Sequence, residues 1–261
     1  MKTSLLSTAA AAAIVGLMGA APTVNAATIS SFGTFSNHLP NSAQSVNTDN
    51  PGGFPQTGDN AAFINWGDVP GKNKASKQSG YVFEGFDDWD VGTIVEGTRW
   101  RIGDFTHRNN PLLSGPIDSV QLAANVEVDF GGGNVVDTVL NWLISHNETD
   151  NYPANGTCAD GGSAPCPDVV TFPNSYAEET IVVPDDGTYF VRIWGFSDTG
   201  LDGSEKTSFL TLEGQNNTTG VWAEFTKTPP PPVPLPAAVW LFGTALIGLG
   251  ILKRRKGSAA A

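Results

Sequence analysis

The chain has 261 residues, enough for one sizeable core, with 14 Lys and Arg against 26 Asp and Glu and a formal net charge of −12. Five of the cations (Lys2, Lys253, Arg254, Arg255 and Lys256) lie in the terminal segments, so positions 27–227 carry nine cations against all 26 anions, a net of −17. A surface of that sign repels phosphate backbones and anionic lipid, which excludes nucleic acid as a partner; it keeps a protein soluble and tolerates cations.

The N-terminus opens with Lys2, continues through a small, apolar run at 5–21, and reaches Val24-Asn25-Ala26, small residues at the −3 and −1 positions of a cleavage site. This pattern predicts a secretory signal peptide over 1–26, handled by the general secretion machinery and removed after Ala26.

From 27 to 227 the pattern is β. Early candidate strands lie at 29–35, 61–66, 81–86 and 98–105. Val120, Leu122, Ala124, Val126, Val128 and Phe130 then alternate with Gln121, Ala123, Asn125, Glu127 and Asp129, the period of a half-buried strand. Gly131-Gly132-Gly133-Asn134 is a turn before a second β-rich run at 135–144, so the pair reads as a hairpin. Pro184-Asp185-Asp186-Gly187 is another turn, before a strand at 188–195 in which Tyr189, Val191 and Ile193 share one face. Runs at 208–212 and 221–226 read as closing strands joined through Gly214-Gln215-Asn216-Asn217. No stretch of this region keeps a 3.6-residue period. An all-β domain is expected, an antiparallel β-sandwich of jelly-roll-like form.

Cys158 and Cys166 are the only cysteines and sit in one short loop of a chain expected to leave the cytoplasm, which predicts a disulfide. Two thiols without a second pair do not complete a zinc site. Of the three histidines, His107 and His146 each follow a β-run inside a polar cluster, Thr106-His107-Arg108-Asn109 and His146-Asn147-Glu148-Thr149-Asp150. Both clusters could meet at one end of a sandwich. The favoured reading is structural: imidazole, amide and hydroxyl groups tie loops to the backbone. The competing reading makes His107 and His146 metal ligands with Glu148 and Asp150 nearby, although HxH and HExxH spacings are absent.

Asp198, Asp202 and Glu205 put three carboxylates in a Gly-rich loop, the oxygen-rich setting that suits Ca²⁺, without matching the EF-hand template. No other cofactor is implied. Nucleophile elbow, P-loop and dinucleotide glycine patterns are missing, so the chain is expected not to be an enzyme; a hydrolase is the minority reading. Of six tryptophans in the domain most belong in a core, while Trp89, set among Asp87, Asp88 and Asp90, is the one expected at the surface, where it could contact a sugar.

The C-terminal segment has three parts. Residues 228–236 form a proline-rich linker ending in Val233-Pro234-Leu235-Pro236. An uncharged apolar run at 237–252 follows, closed by Lys253-Arg254-Arg255-Lys256. Segment 237–256 therefore predicts a membrane-spanning helix with its basic end on the cytoplasmic side. This layout resembles the PEP-CTERM sorting signal of Gram-negative bacteria, in which Glu commonly stands where this chain has Leu235. Thr106-His107-Arg108-Asn109 matches the THxN signature of one group of such proteins. The surroundings are similar too: Asn65-Trp66-Gly67, Gly103-Asp104-Phe105, His146-Asn147-Glu148-Thr149, the two cysteines and Asp168-Val169-Val170. The resemblance implies processing by exosortase, transient anchoring through the C-terminal helix, and a final place at the cell surface or in a biofilm matrix, with exopolysaccharide as a partner. It brings no catalytic or ligand-binding residue with it.

Overall fold

The computed structural model of the chain describes residues 26–39, 46–48, 60–69, 75–158, 162–172, 178–183, 187–197 and 206–227. Residues 1–25 of the expected leader, the candidate Ca²⁺ ligands Asp198, Asp202 and Glu205, and the expected sorting segment from 228 onward lie outside these residues. Among the described residues no helix is long and apolar enough to cross a membrane.

Twelve strands are described: β1 (Ala27–Leu39), β2 (Ala61–Trp66), β3 (Ser79–Gly85), β4 (Trp89–Gly92), β5 (Arg99–Asn109), β6 (Ser119–Asp129), β7 (Val135–Asn147), β8 (Asp168–Thr171), β9 (Glu178–Val183), β10 (Gly187–Ser197), β11 (Ser208–Thr211) and β12 (Gln215–Thr226). They form two antiparallel six-stranded sheets, ordered β11-β8-β7-β6-β1-β4 and β2-β3-β5-β12-β10-β9. Inward residues of both sheets make one hydrophobic cluster, so the architecture is a β-sandwich.

Alternation accounts for the core. Val120, Leu122, Ala124, Val126 and Val128 of β6 and Leu140, Trp142 and Ile144 of β7 are buried on the shared face. Each fully buried Leu or Ile contributes about 1.5–3 kcal/mol of transfer free energy. The β6–β7 hairpin pairs Asp129 with Val135 across the expected glycine turn. Gly131, Gly132 and Gly133 there have φ of 78°, 65° and 84°, a region closed to most side chains. Where the sheets meet at a corner, the Ser31 amide donates to the Phe86 carbonyl at 2.7 Å, and a Cβ on Gly85 would lie 1.9 Å from the Ser31 carbonyl oxygen.

The structure differs from the sequence reading in three places. β5 and β7 run on through Asn109 and Asn147, so His107 and His146 lie inside strands and not beyond them. The two closing strands lie in different sheets, and Gln215, Asn216 and Asn217, read as their connection, belong to the second of them. β11 pairs with β8 in the first sheet, whereas Gln215, Asn216 and Asn217 extend β12 and pair with Asn109, Arg108 and His107 in the second. The Asn217 side chain braces this sheet-to-sheet crossing through the Leu212 amide and carbonyl, both at 2.9 Å. Three short strands, β4, β8 and β9, had no alternation long enough to be legible.

Candidate functional site

The two histidine clusters do meet, in the core between the sheets. A bulge sets the phase of β5. Its pairing with β12 slips between Arg101 and Gly103, so inward positions change from Trp100 and Ile102 to Phe105, His107 and Asn109. Thr106 and Arg108 take the other face. Thr106 Oγ1 lies 2.8 Å from its cross-strand partner Thr218 Oγ1, and Arg108 donates to the Gln78 carbonyl and to Asn65 Oδ1, each at 3.0 Å. In β7 the alternation Leu140, Trp142, Ile144 continues inward to His146. Asn147, next along, is exposed.

One ligand atom from each of His107, His146 and Asp168 lies within 4.8 Å of the other two, and all three residues are buried. His107 comes from the second sheet; His146 and Asp168 come from the first. Thr211 Oγ1 sits 2.8 Å from His107 Nδ1, and the Asn109 amide donates to the Thr211 carbonyl at 3.0 Å. The Tyr81 hydroxyl lies 2.6 Å from His146 Nδ1, and His146 Nε2 lies 3.1 Å from Glu148 Oε2 and 4.0 Å from Asp168 Oδ2. The Thr149 amide and hydroxyl reach Asp168 Oδ1 at 2.8 and 3.3 Å. His107 Nε2 and Asp168 Oδ2 are sealed from solvent and have no hydrogen-bond partner among the described residues, as is also true of Asn109 Oδ1, Trp66 Nε1 and both Glu213 carboxylate oxygens.

The walls are aromatic. Trp66 stacks on His107 at 5.8 Å and meets His146 edge-on at 5.4 Å, while Tyr81 meets His107 edge-on at 4.9 Å. This dry setting moves the titrations. Burial, then His146 and Arg108, hold His107 well below the usual histidine range, so its imidazole is neutral at neutral pH. Burial, reinforced by Asp168 and Glu148, keeps the Tyr81 phenol protonated well above its usual value. Burial and Glu148 push Asp168 up to about 6, against the pull of the Thr149 amide and His146. Glu213 is pushed up to about 7 by burial and then by Asp168 and Glu148; Asn151 opposes this from nearby, outside hydrogen-bond geometry.

The expected disulfide joins Cys158 to Cys166, with Cα atoms 5.3 Å apart. It sits against the cluster: the Cys166 amide donates to the Asn151 carbonyl at 3.2 Å, and Thr149 Oγ1 to the Pro167 carbonyl at 3.1 Å, just before Asp168 opens β8. Asp150, expected beside the histidines, instead closes a turn by accepting from the Tyr152 amide at 3.0 Å. Sequence reasoning passed over Asp168, Tyr81 and Thr211 as site residues. The available signal was an acid opening the apolar run Val169-Val170 and Tyr81 on the inward period of β3.

Elsewhere, Trp89 is 48 % exposed and stacks on Phe86 at a centroid distance of 4.8 Å. An open groove of about 660 Å³ lies nearby, with Phe32, Asn60, Asp87, Asn125, Asp137 and Asn141 in its lining. The chain matches no protein-family model and no curated protein.

Proposed function

We propose that this chain is an exported, non-enzymatic β-sandwich, jelly-roll-like in form, of the THxN kind of PEP-CTERM protein, sorted by exosortase and delivered to the cell surface or extracellular matrix. The observation that carries the reading is the Cys158–Cys166 disulfide, a bond that persists in oxidising compartments. The leader at 1–26, the motif Val233-Pro234-Leu235-Pro236 and the Lys253–Lys256 basic end supply the route. The test is the intact mass and location of the protein in a Gram-negative host that carries an exosortase. A chain beginning at Ala27, ending near the proline segment and found on or outside the cell is the expected result. A chain that keeps its leader and remains in the cytoplasm ends the proposal.

A second reading, an exopolysaccharide-binding sandwich assisted by Ca²⁺, rests on the groove that Asp87 and Phe32 line, two residues from half-exposed Trp89. Amides and carboxylates beside an exposed aromatic are groups on which sugars hydrogen-bond and stack. Glycan arrays with and without chelator test it: retention lost in Trp89→Ala supports it, and no retained glycan under either condition removes it.

A further inference from the structure

We propose that His107, His146, Asp168 and Glu148 bind one divalent transition-metal ion of the Zn²⁺ type, clamped between the two sheets. The argument starts from hydrogens. The Asp168 carbonyl, 3.4 Å from Thr211 Oγ1, offers the hydroxyl hydrogen an acceptor, and that leaves Thr211 Oγ1 free to accept from His107 Nδ1–H at 2.8 Å. In that tautomer the His107 Nε2 lone pair is bare. Asp168 is arranged in the same way: Thr149 occupies Oδ1, and Oδ2 has no donor among the described residues. Two acceptors in one dry pocket, each with its far side held by a partner, are the pattern of ligands awaiting a cation.

His146 completes the set. It has the Tyr81 hydroxyl at Nδ1 to hold the ring in place and the Glu148 carboxylate at Nε2. An ion at Nε2 displaces the proton that Nε2 otherwise gives to Glu148, and the ring then carries its proton on Nδ1, which faces the Tyr81 oxygen at 2.6 Å. Tetrahedral zinc ligands stand about 3.3 Å apart, from bonds of roughly 2.0–2.1 Å. The 3.1 and 4.0 Å separations about His146 Nε2 bracket that spacing, and with all three triad atoms within 4.8 Å of one another the ligands need to draw in by at most about 1.5 Å. Two imidazoles and two carboxylates suit zinc and its neighbours better than Ca²⁺, which takes six to eight oxygens. The two carboxylate charges match the two charges of a divalent ion. Four protein ligands close the coordination sphere, the form of a structural site.

The test uses the full chain in detergent, stripped with EDTA and checked for folding by near-UV circular dichroism. Zn²⁺ is titrated against a chromophoric chelator, and Co²⁺ is added in parallel to read geometry from its visible absorption. One equivalent of Zn²⁺, a tetrahedral Co²⁺ spectrum and a rise in melting temperature are expected. Glu148→Gln, on the partly exposed rim, and Asp168→Asn should each weaken binding at least tenfold; Tyr81→Phe should weaken it by about 10- to 100-fold as an outer-shell loss. A folded wild-type chain that takes up no Zn²⁺ overturns the proposal. Uptake unchanged in both Glu148→Gln and Asp168→Asn also overturns it, because the ion then sits elsewhere. If Asp168→Asn does not fold, Glu148→Gln and the wild-type Co²⁺ spectrum decide alone.

Discussion

Thr211 Oγ1 stands 2.8 Å from His107 Nδ1, across the gap between the two sheets and 104 residues further along the chain. The Asn109 amide reaches the carbonyl of the same threonine. Alternate residues of the Thr-His-Arg-Asn segment thus hold the two sheets together at one point, and the same contact turns the other histidine nitrogen into the pocket. A structural role and a ligand role share this side chain.

Glu213 gives the domain a pH dependence of readable sign. Its folded-state carboxyl is pushed up to about 7 from an ordinary 4.5, first by burial. Below 4.5 both folded and unfolded chains hold the proton, and the contribution to stability is fully present. Between 4.5 and 7 the unfolded chain releases the proton while the folded one keeps it, so stability falls as pH rises and this contribution is lost above 7. Glu213→Gln should therefore raise the melting temperature at pH 8 and leave it unchanged at pH 4. Thermal melts in EDTA-containing buffer measure this.

Opening the disulfide should cost about 2–3 kcal/mol on the chain-entropy estimate for so short a loop. The Cys158→Ser, Cys166→Ser double variant, followed by urea unfolding, gives the value. Because Cys166 holds Asn151 and the adjoining residues hold Thr149, amide exchange around Thr149 should quicken more than exchange in β6.

Glu224 lies between two arginines on neighbouring strands. Arg99 Nε reaches Oε1 at 3.0 Å and Arg192 reaches Oε2 at 2.7 Å, and β12 sets all three in register. Glu224→Gln keeps the shape and removes the charge between two like charges. A loss of about 1 kcal/mol at low salt, shrinking in 0.5 M salt, is expected from denaturant titrations, since the arginines are partly exposed and screened.

Gly85→Ala should be far costlier. The added methyl would meet the Ser31 carbonyl at a separation no Cβ tolerates, and the obstacle is backbone, which cannot rotate away. A destabilisation of about 3 kcal/mol or more, with the β1–β3 corner opened, is expected from urea unfolding.

The parts of the fold written in strict alternation could be read from sequence. β6 and β7 show their inward face in every second residue, and the glycine turn between them needs positive φ that only glycine supplies cheaply. Short strands carry too few residues to show a period: β4 and β8 have four each. The inward turn of His107 was hidden for another reason. The bulge at Arg101–Gly103 changes the phase of β5, and a strict period of two from Trp100 and Ile102 would have turned Thr106 and Arg108 inward. His146, with no bulge before it, follows directly from Leu140, Trp142 and Ile144. Asp168 became meaningful only when β8 was set beside the end of β7, where Val170 pairs with His146.

The crossing from β11 to β12 has a consequence for the order of assembly. The pocket draws on Tyr81, His107, His146, Asp168 and Thr211, so it closes through contacts separated by 65 and 104 positions. Closing such spans costs more chain entropy than closing local ones, and the pocket is complete only when both sheets are in place. A chain emerging from its N-terminus holds both histidines long before Thr211 arrives to orient one of them. Closure of the pocket is therefore a report that nearly the whole sandwich has been assembled, a built-in marker of completion.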